Sequence, residues 1–368
     1  MGKRYLIVGS GLFGSVCARE LTDAGHSCQV IEKRDHIGGN CYTRKIEEAG
    51  CHEHVYGPHI FHTNSTELWN YIRRFTEFNH FSYRPRVNFK GSYYSFPINL
   101  MTLNQLWGVV TPEAAKAKLA EVREDIPDPA NLEEWCLSQV GRELYETFVR
   151  GYTAKQWHHD PKDLPASLIK RLPIRLRYDD NYFNDQYQGI PKEGYTKIFE
   201  RMLEGIPVEF GVDFLEDRDS WLEKFDHVIY TGSPDSFFGY SEGPLEYRSL
   251  RFERELLDTP DFQGVAAVNY TEEQIPYTRI VEHKHFDLSF SKEKTLITKE
   301  YPSDWKLGDI EFYPVNTGEN QAVFAKYKSL MKEMEGKVVF GGRLGEYRYY
   351  DMHQVIAAAL KRLKVLLG

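Results

Sequence analysis

Apolar positions set the first expectations along this chain. Tyr5-Leu6-Ile7-Val8 is a continuous apolar run and reads as a buried parallel strand. Residues 12–24 switch to helical spacing and stop at Gly25, a favoured left-handed end. Residues 27–32 read as a second strand. Asn64-Ser65-Thr66-Glu67 looks like a helix cap ahead of Leu68, Trp69, Ile72 and Phe75. Residues 86–96 alternate around Lys90-Gly91-Ser92, as a hairpin does. From 102 to about 157 the pattern is mostly helical. It has one amphipathic run over 112–125 and another marked by Trp135, Val140, Leu144 and Phe148, with Pro127-Asp128-Pro129 between them. Residues 158–192 lose periodicity, and so long an irregular stretch predicts a functional lid or a linker. A helix over 195–203 and a short strand over 207–210 follow. His227-Val228-Ile229-Tyr230 then reads as a strand returning to the first sheet. Four strand-like runs, 247–254, 265–270, 278–286 and 295–300, predict an antiparallel sheet. A last buried strand, Val338-Val339-Phe340, leads into a closing helix over 351–367. Both chain ends therefore belong to one nucleotide-binding domain, and the middle is inserted into it.

Charge and composition narrow the partners. The chain has 368 residues, 41% of them hydrophobic and 27% charged, so the expectation is a folded protein of two or three packed units. The net charge of −8 argues against non-specific nucleic-acid binding, so an anionic substrate would need locally placed arginines. No apolar run approaches membrane-spanning length, and Met1-Gly2-Lys3-Arg4 leads straight into the first strand. Five cysteines without paired C-x-x-C spacing read as reduced thiols of a cytoplasmic protein.

The chemistry begins at Gly9-Ser10-Gly11-Leu12-Phe13-Gly14, which has G-x-G-x-x-G spacing between a strand and a helix. Gly9 permits the tight turn, Gly11 lets a pyrophosphate approach the backbone, and Gly14 lets the helix pack close. Glu32 lies 32 − 14 = 18 residues past the last of these glycines and ends the second strand. It reads as a ribose-binding acid or as an ordinary strand-end glutamate. Gly38-Gly39 suits a second close backbone approach or a simple turn. His52, His54, His59 and His62 fall within twelve residues, which raises a metal site. They lack His-x-x-x-His spacing on a helix, and Gly57-Pro58 breaks the segment, so the expectation is no metal.

Longer motifs carry a family likeness. Arg34-Asp35-His36-Ile37-Gly38-Gly39-Asn40, His54-Val55-Tyr56-Gly57-Pro58-His59-Ile60-Phe61-His62 and Gly151-Tyr152-Thr153-Ala154-Lys155-Gln156-Trp157 stand in order after the glycine turn. Leu168-Ile169-Lys170-Arg171-Leu172-Pro173, Asp179-Asp180-Asn181-Tyr182-Phe183-Asn184 and Gly342-Arg343-Leu344-Gly345-Glu346-Tyr347-Arg348-Tyr349-Tyr350-Asp351-Met352 follow. Together with the glycine turn they resemble bacterial UDP-galactopyranose mutases along essentially the whole chain. The pair His158-His159 has no assignment.

The resemblance implies an α/β protein. Its Rossmann-like FAD-binding domain would be built from 1–78, 193–236 and 335–368. It would carry an inserted helical domain over 98–170, with a lid to about 190, and an antiparallel sheet domain from 79–97 and 237–334. It implies an isomerase that interconverts UDP-galactopyranose and UDP-galactofuranose without net redox change. Reduced FAD attacks the anomeric carbon through N5, UDP leaves, the sugar ring opens and recloses, and UDP returns. By the same likeness Arg171 and Arg279 clamp the diphosphate, and bidentate guanidinium groups suit phosphate oxygens. Tyr152 stacks on uracil. Phe148, Trp157 and Phe183 lie around the sugar pocket, and Asn269 is on the uridine side. Tyr182, Tyr313 and Tyr347 donate phenol hydrogen bonds to the diphosphate, and Tyr349 and His59 lie near the flavin. FAD would be held by Gly9, Gly11, Phe13, Gly14, Glu32, Lys33, Gly38, Gly39, Asn40, Arg343, Asp351 and Met352. An external reductant such as NAD(P)H and a homodimer are also implied.

Other readings make different demands. A redox flavoenzyme of the amine-oxidase type shares the glycine turn and doublet but has no use for UDP. A metal-dependent hydrolase would rest on the histidines, and a nucleotide-sugar sensor would bind UDP without turnover. A glycosidase needs two facing carboxylates, and no such pair can be placed from the sequence.

Overall fold

The computed structural model describes residues 2–166, 174–290 and 292–367. In chain order its strands are β1 (Arg4–Val8), β2 (Ser27–Glu32), β3 (Thr43–Ile46), β4 (Cys51–His54), β5 (Phe61–Thr63), β6 (Arg86–Phe89), β7 (Ser92–Ser95) and β8 (Tyr187–Gly189). They continue with β9 (Val208–Phe210), β10 (His227–Tyr230), β11 (Tyr247–Leu257), β12 (Ala267–Tyr270), β13 (Arg279–Glu282), β14 (Thr295–Asp304), β15 (Tyr313–Pro314) and β16 (Val338–Phe340).

The two chain ends meet in one parallel sheet of order β16-β10-β1-β2-β9. Its central strand shows why the apolar run is unbroken. Tyr5 and Ile7 join the core under the first helix (Leu12–Asp23) and the closing helix (Met352–Leu367), while Leu6 joins Phe214, Phe237 and Phe340 on the opposite face. A strand buried on both faces has no polar side to alternate with. The first helix ends as its composition predicts, with Gly25 at φ +85°. Ser65 caps the helix Thr66–Ile72 by accepting from the Leu68 N–H.

A second sheet of order β15-β11-β14-β13-β12-β6-β7 stands beside it. It is antiparallel except where β12 meets β6, so the hairpin β6–β7 enters the sheet alongside strands from nearly two hundred residues later. Over this hairpin lies a helical layer, Leu100–Trp107, Pro112–Val122 and Leu132–Val140, with its own core of Leu103, Leu119, Leu137 and Leu144.

Two expectations need correction, and one helix was missed. The run 278–286 is a strand only to Glu282, and the chain then turns into the short helix Lys284–Asp287. The helix Gly318–Glu333 was not read from the sequence, although Val323, Phe324, Tyr327, Leu330 and Met331 recur along it at helical spacing and share a cluster with Leu245, Tyr247 and Tyr347. Residues 187–189, read as part of the irregular stretch, pair as β8 with β5. Among the described residues no helix is long and apolar enough to cross a membrane. The five cysteines are free thiols.

Candidate active site

The glycine turn is built as its spacing demands. Gly9 sits at φ +98°, and a Cβ on Gly14 would stand 2.0 Å from the Gly9 carbonyl oxygen. The second loop closes onto it: the Gly38 N–H donates to Ser10 O at 3.0 Å, and a Cβ on Gly39 would lie 3.1 Å from the Gly11 Cα. Gly341 and Gly342 give way to Phe13, whose ring tip would stand 2.0 Å from a Cβ on Gly341. At the N-terminus of the first helix no side chain caps the N–H groups, and the first turn holds no acid. Free N–H groups and the positive end of the helix dipole form an anion site.

Glu32 is buried, and one of its oxygens accepts from the Ser10 N–H at 2.8 Å and from Ser10 Oγ at 2.6 Å. The other accepts from the Arg34 N–H at 3.0 Å. The acid thus braces the turn whatever else it binds. Lys33, expected at the cofactor, is mostly exposed and ion-paired with Asp213 at 2.9 Å. Arg34 was not singled out as a site residue. It gives one N–H to Asn40 Oδ1 at 2.9 Å and lies over the Tyr56 ring, and its buried Nη1 has no partner among the described residues.

The second half of the site is a row across the second sheet. Register places Val87, Asn269, Arg279, Glu300 and Phe252 side by side on five neighbouring strands, and therefore on one face. Arg279 donates from Nε and Nη2 to Glu300 Oε2, at 2.9 and 2.6 Å. Asn269 Oδ1 and Glu300 Oε1 are buried without a partner among the described residues. Two buried acceptors left open beside a guanidinium are groups that a polar ligand would satisfy.

Phenols surround this row. Tyr83 approaches Arg279 Nη1 at 3.4 Å, and Tyr152, Tyr182 and Tyr313 lie close enough for the Arg279 charge to act on their hydroxyls. Burial, partly offset by that charge, pushes the Tyr83, Tyr152 and Tyr313 hydroxyls up, so they remain protonated donors. Tyr313 stacks on Tyr349 at 5.7 Å, and Arg343 lies 5.2 Å from the Tyr349 ring.

His59 lies within reach of charges from both halves. Its N–H donates to His54 Nδ1 at 3.1 Å, and its own Nδ1 donates to Gly57 O at 2.9 Å, which leaves Nε2 as an acceptor. Burial, with Arg343 and Arg279 adding to it, lowers its pKa to about 4. The histidine is neutral and stands within the field of one arginine from each half.

Other expected residues sit elsewhere. Arg171 lies outside the described residues. Tyr347 is 2% exposed and donates to the Glu246 and Val315 carbonyls at 2.6 and 3.0 Å, so its expected diphosphate bond is not met. Phe148 is buried against Tyr94 and Phe96 in the helical core. Phe183 stacks on His62 at 3.7 Å and also meets Tyr182 at 5.1 Å and Tyr83 at 6.0 Å, beside the phenols around Arg279. Met352 packs on the main core, and Asp351 opens the closing helix, its carbonyl accepting from Gln354 and Val355. The four neighbouring histidines diverge. His52 pairs with Asp287 at 2.9 Å, and of the four only His62 has two further candidate ligands, Asp351 and His353, nearby among the described residues. His158 ends the helix Gly151–Trp157 at φ +53° and pairs with Asp304 at 3.0 Å, which also holds Arg248 beneath Trp157.

Comparison with known proteins settles the family. The UDP-galactopyranose mutase family profile matches residues 147–349, and that of an NAD(P)-binding Rossmann-like domain matches 7–75. A probable UDP-galactopyranose mutase of Klebsiella pneumoniae is 43% identical over 98% of this chain and 93% of its own. The chain belongs to the UDP-galactopyranose mutase family. A dTDP-fucopyranose mutase of Escherichia coli is 39% identical over 97% of each chain. A crystal structure of reduced UDP-galactopyranose mutase shares the fold at TM-score 0.75 and 16% identity, covering 100% of this chain and 94% of that one.

As a member of this family the protein is an isomerase, and its cofactor is FAD. The residues fit that group. The uncapped helix N-terminus and the unpartnered Arg34 Nη1 suit a diphosphate, and the meeting of Gly11 with Gly39 leaves backbone without side chains where a cofactor must pass. Glu300, Tyr83 and Arg34 are candidate site residues that sequence reasoning missed. Glu300 and Tyr83 carry no motif, and their place follows only from strand register and the path of the chain before β6.

Proposed function

We propose that this protein interconverts UDP-galactopyranose and UDP-galactofuranose in the cleft between the two sheets. The observation that carries the reading is Arg279, set among phenols and open acceptors, with His59 within reach of charges from both halves. When bound and reduced, FAD supplies through N5 a nucleophile for the anomeric carbon. The chain's own residues do the rest. Arg279 is held in one orientation by Glu300 and meets the diphosphate as its charge grows on departure, with Arg171 as its expected partner. Tyr182 and Tyr313 donate hydrogen bonds to that charge without losing their protons, and Tyr152 and Trp157 hold the base and sugar. Asn269 Oδ1 takes a hydroxyl or N–H of the nucleotide. His59 offers a neutral Nε2 as acceptor at the flavin edge. An external reductant such as NAD(P)H and a homodimeric working state complete the proposal.

A second reading follows from the 39% identical relative: dTDP-fucopyranose as substrate. It needs the same diphosphate clamp and differs at the thymine methyl, the ribose 2′ position and sugar C6. The test is anaerobic incubation of dithionite-reduced protein with UDP-galactofuranose and, separately, with the dTDP-fucofuranose analogue, followed by product separation. We expect UDP-galactopyranose from the reduced enzyme and none from the oxidised one. Equal turnover by oxidised protein overturns the N5 role, and a higher kcat/KM on the dTDP sugar selects the second reading.

A further inference from the structure

The two walls of the cleft are carried by different layers. Asn269 and Arg279 stand at the roots of the turn 271–278 between β12 and β13. Tyr152 and Trp157 stand on the helical run 146–157, whose first turn, Glu146–Arg150, is wound wider as a π-helix. That run meets the turn at three positions spaced four apart. Thr271 Oγ1 donates to Thr147 O at 2.7 Å. Gly151 lies so close that a Cβ there would stand 2.1 Å from Thr271 O. Lys155 Nζ donates to Tyr270 O at 2.6 Å, Ile275 O at 3.0 Å and Tyr277 O at 2.9 Å. Positions four apart share a helix face, so one face of the run presses on the turn while Tyr152 departs from another.

We propose that Lys155 is a positioning residue for the nucleotide sugar. Its ammonium pins the helix bearing Tyr152 and Trp157 to the turn bearing Asn269 and Arg279, and so sets the width of the cleft. This rests on the reading that the cleft takes a UDP-sugar. Three donors on one nitrogen match three converging carbonyls, a match that a planar guanidinium cannot reproduce. All three acceptors are backbone oxygens within eight residues, so the grip fixes the shape of the turn as well as its place. Glu272 and Glu273 on the turn are the acids that act on the ammonium, and Arg150 on its own helix faces Glu273 at 3.6 Å. The Tyr270 and Tyr277 rings meet edge to face beside it. Burial outweighs the two acids and lowers the lysine to about 8. Above that pH a neutral amine keeps two N–H donors for three carbonyls.

The test uses FAD-loaded wild-type, Lys155→Met and Lys155→Arg proteins, with KM and kcat for the UDP-sugar and Kd for UDP from pH 6.5 to 9. In Lys155→Met at neutral pH, KM and the UDP Kd should rise tenfold or more, with kcat within threefold of wild type and an unchanged flavin spectrum. Lys155→Arg should recover part of the loss. Wild-type KM should climb above pH 8, and that of Lys155→Met should stay flat. Wild-type KM in Lys155→Met overturns the proposal, as does an equal fall of kcat in both variants. If Lys155→Met does not fold, a wild-type KM that is constant across the pH range overturns it. A wild-type protein that binds no UDP overturns instead the reading of the cleft.

Discussion

Three histidines, His54 and His283 fully buried and His59 partly so, are held neutral at the joint between the sheets. Burial is the main cause for each; for His54 its histidine neighbours add to it, and for His59 the two arginines do. The sign of the pH effect follows. Below pH 6.5 the unfolded chain takes up protons that the folded one refuses, so stability is fully present above 6.5 and is lost as pH falls toward 4. For His283, lowered to about 4, this amounts to about 3 kcal/mol. Denaturant melts at pH 7, 5 and 4 should show that loss, and His283→Gln should flatten the dependence; an unchanged slope would refute the assignment. Arg279 calls for a conservative change, because Arg279→Ala leaves Glu300 buried and unpaired, at a cost of about 3–5 kcal/mol. Arg279→Lys keeps the charge and loses the fork. It should lower kcat/KM by about ten- to a hundredfold, about 1.4–2.7 kcal/mol, with FAD still bound; turnover equal to wild type would exclude the clamp role. His59 was signalled by its motif and Arg279 only by the family likeness. Glu300 and Tyr83 were signalled by neither, because strand register decides which residues share a face. Tyr347 was misplaced because a motif does not say which way a hydroxyl points.

Among the elements, the strand-turn-helix at the start was the most legible. Gly14 answers to a carbonyl oxygen and Gly9 to a positive φ, whereas a Cβ on Gly11 would meet only the Gly39 Cα, at 3.9 Å. Gly14→Ala puts a methyl 2.0 Å from the Gly9 oxygen, which only backbone movement can relieve. The purified variant should lose its bound flavin and its yellow colour. Gly25→Ala is the control: it has open space at φ +85°, and its cost should be about 1 kcal/mol with the flavin retained. Flavin absorbance per protein compares the two, and equal content would mean that the turn tolerates a side chain. Elements were less legible where few side chains are fully buried, as in Gly318–Glu333, or where three residues sufficed to pair, as in β8. The short helix after Glu282 was hidden because Phe286 is buried as a strand residue would be.

At the scale of the molecule, the parallel sheet came from its apolar strands, and the insertion of the middle from the return of that pattern near both ends. The mixed second sheet did not, since nothing local tells hairpin 86–95 that β12 will lie parallel to it. The strand order has a further consequence, for synthesis. β1 lies between β2 and β10, and β10 begins only at His227. At about 5–20 residues per second, a ribosome needs about 10–40 s to deliver that neighbour after β1 has emerged. For that interval one edge of Leu6-Ile7-Val8 has no strand to pair with, and the closing helix that covers its face comes later still. Growing chains halted before residue 227 should therefore depend on chaperones. The glycine turn leaves the ribosome long before β10, the strand that completes its sheet on that side.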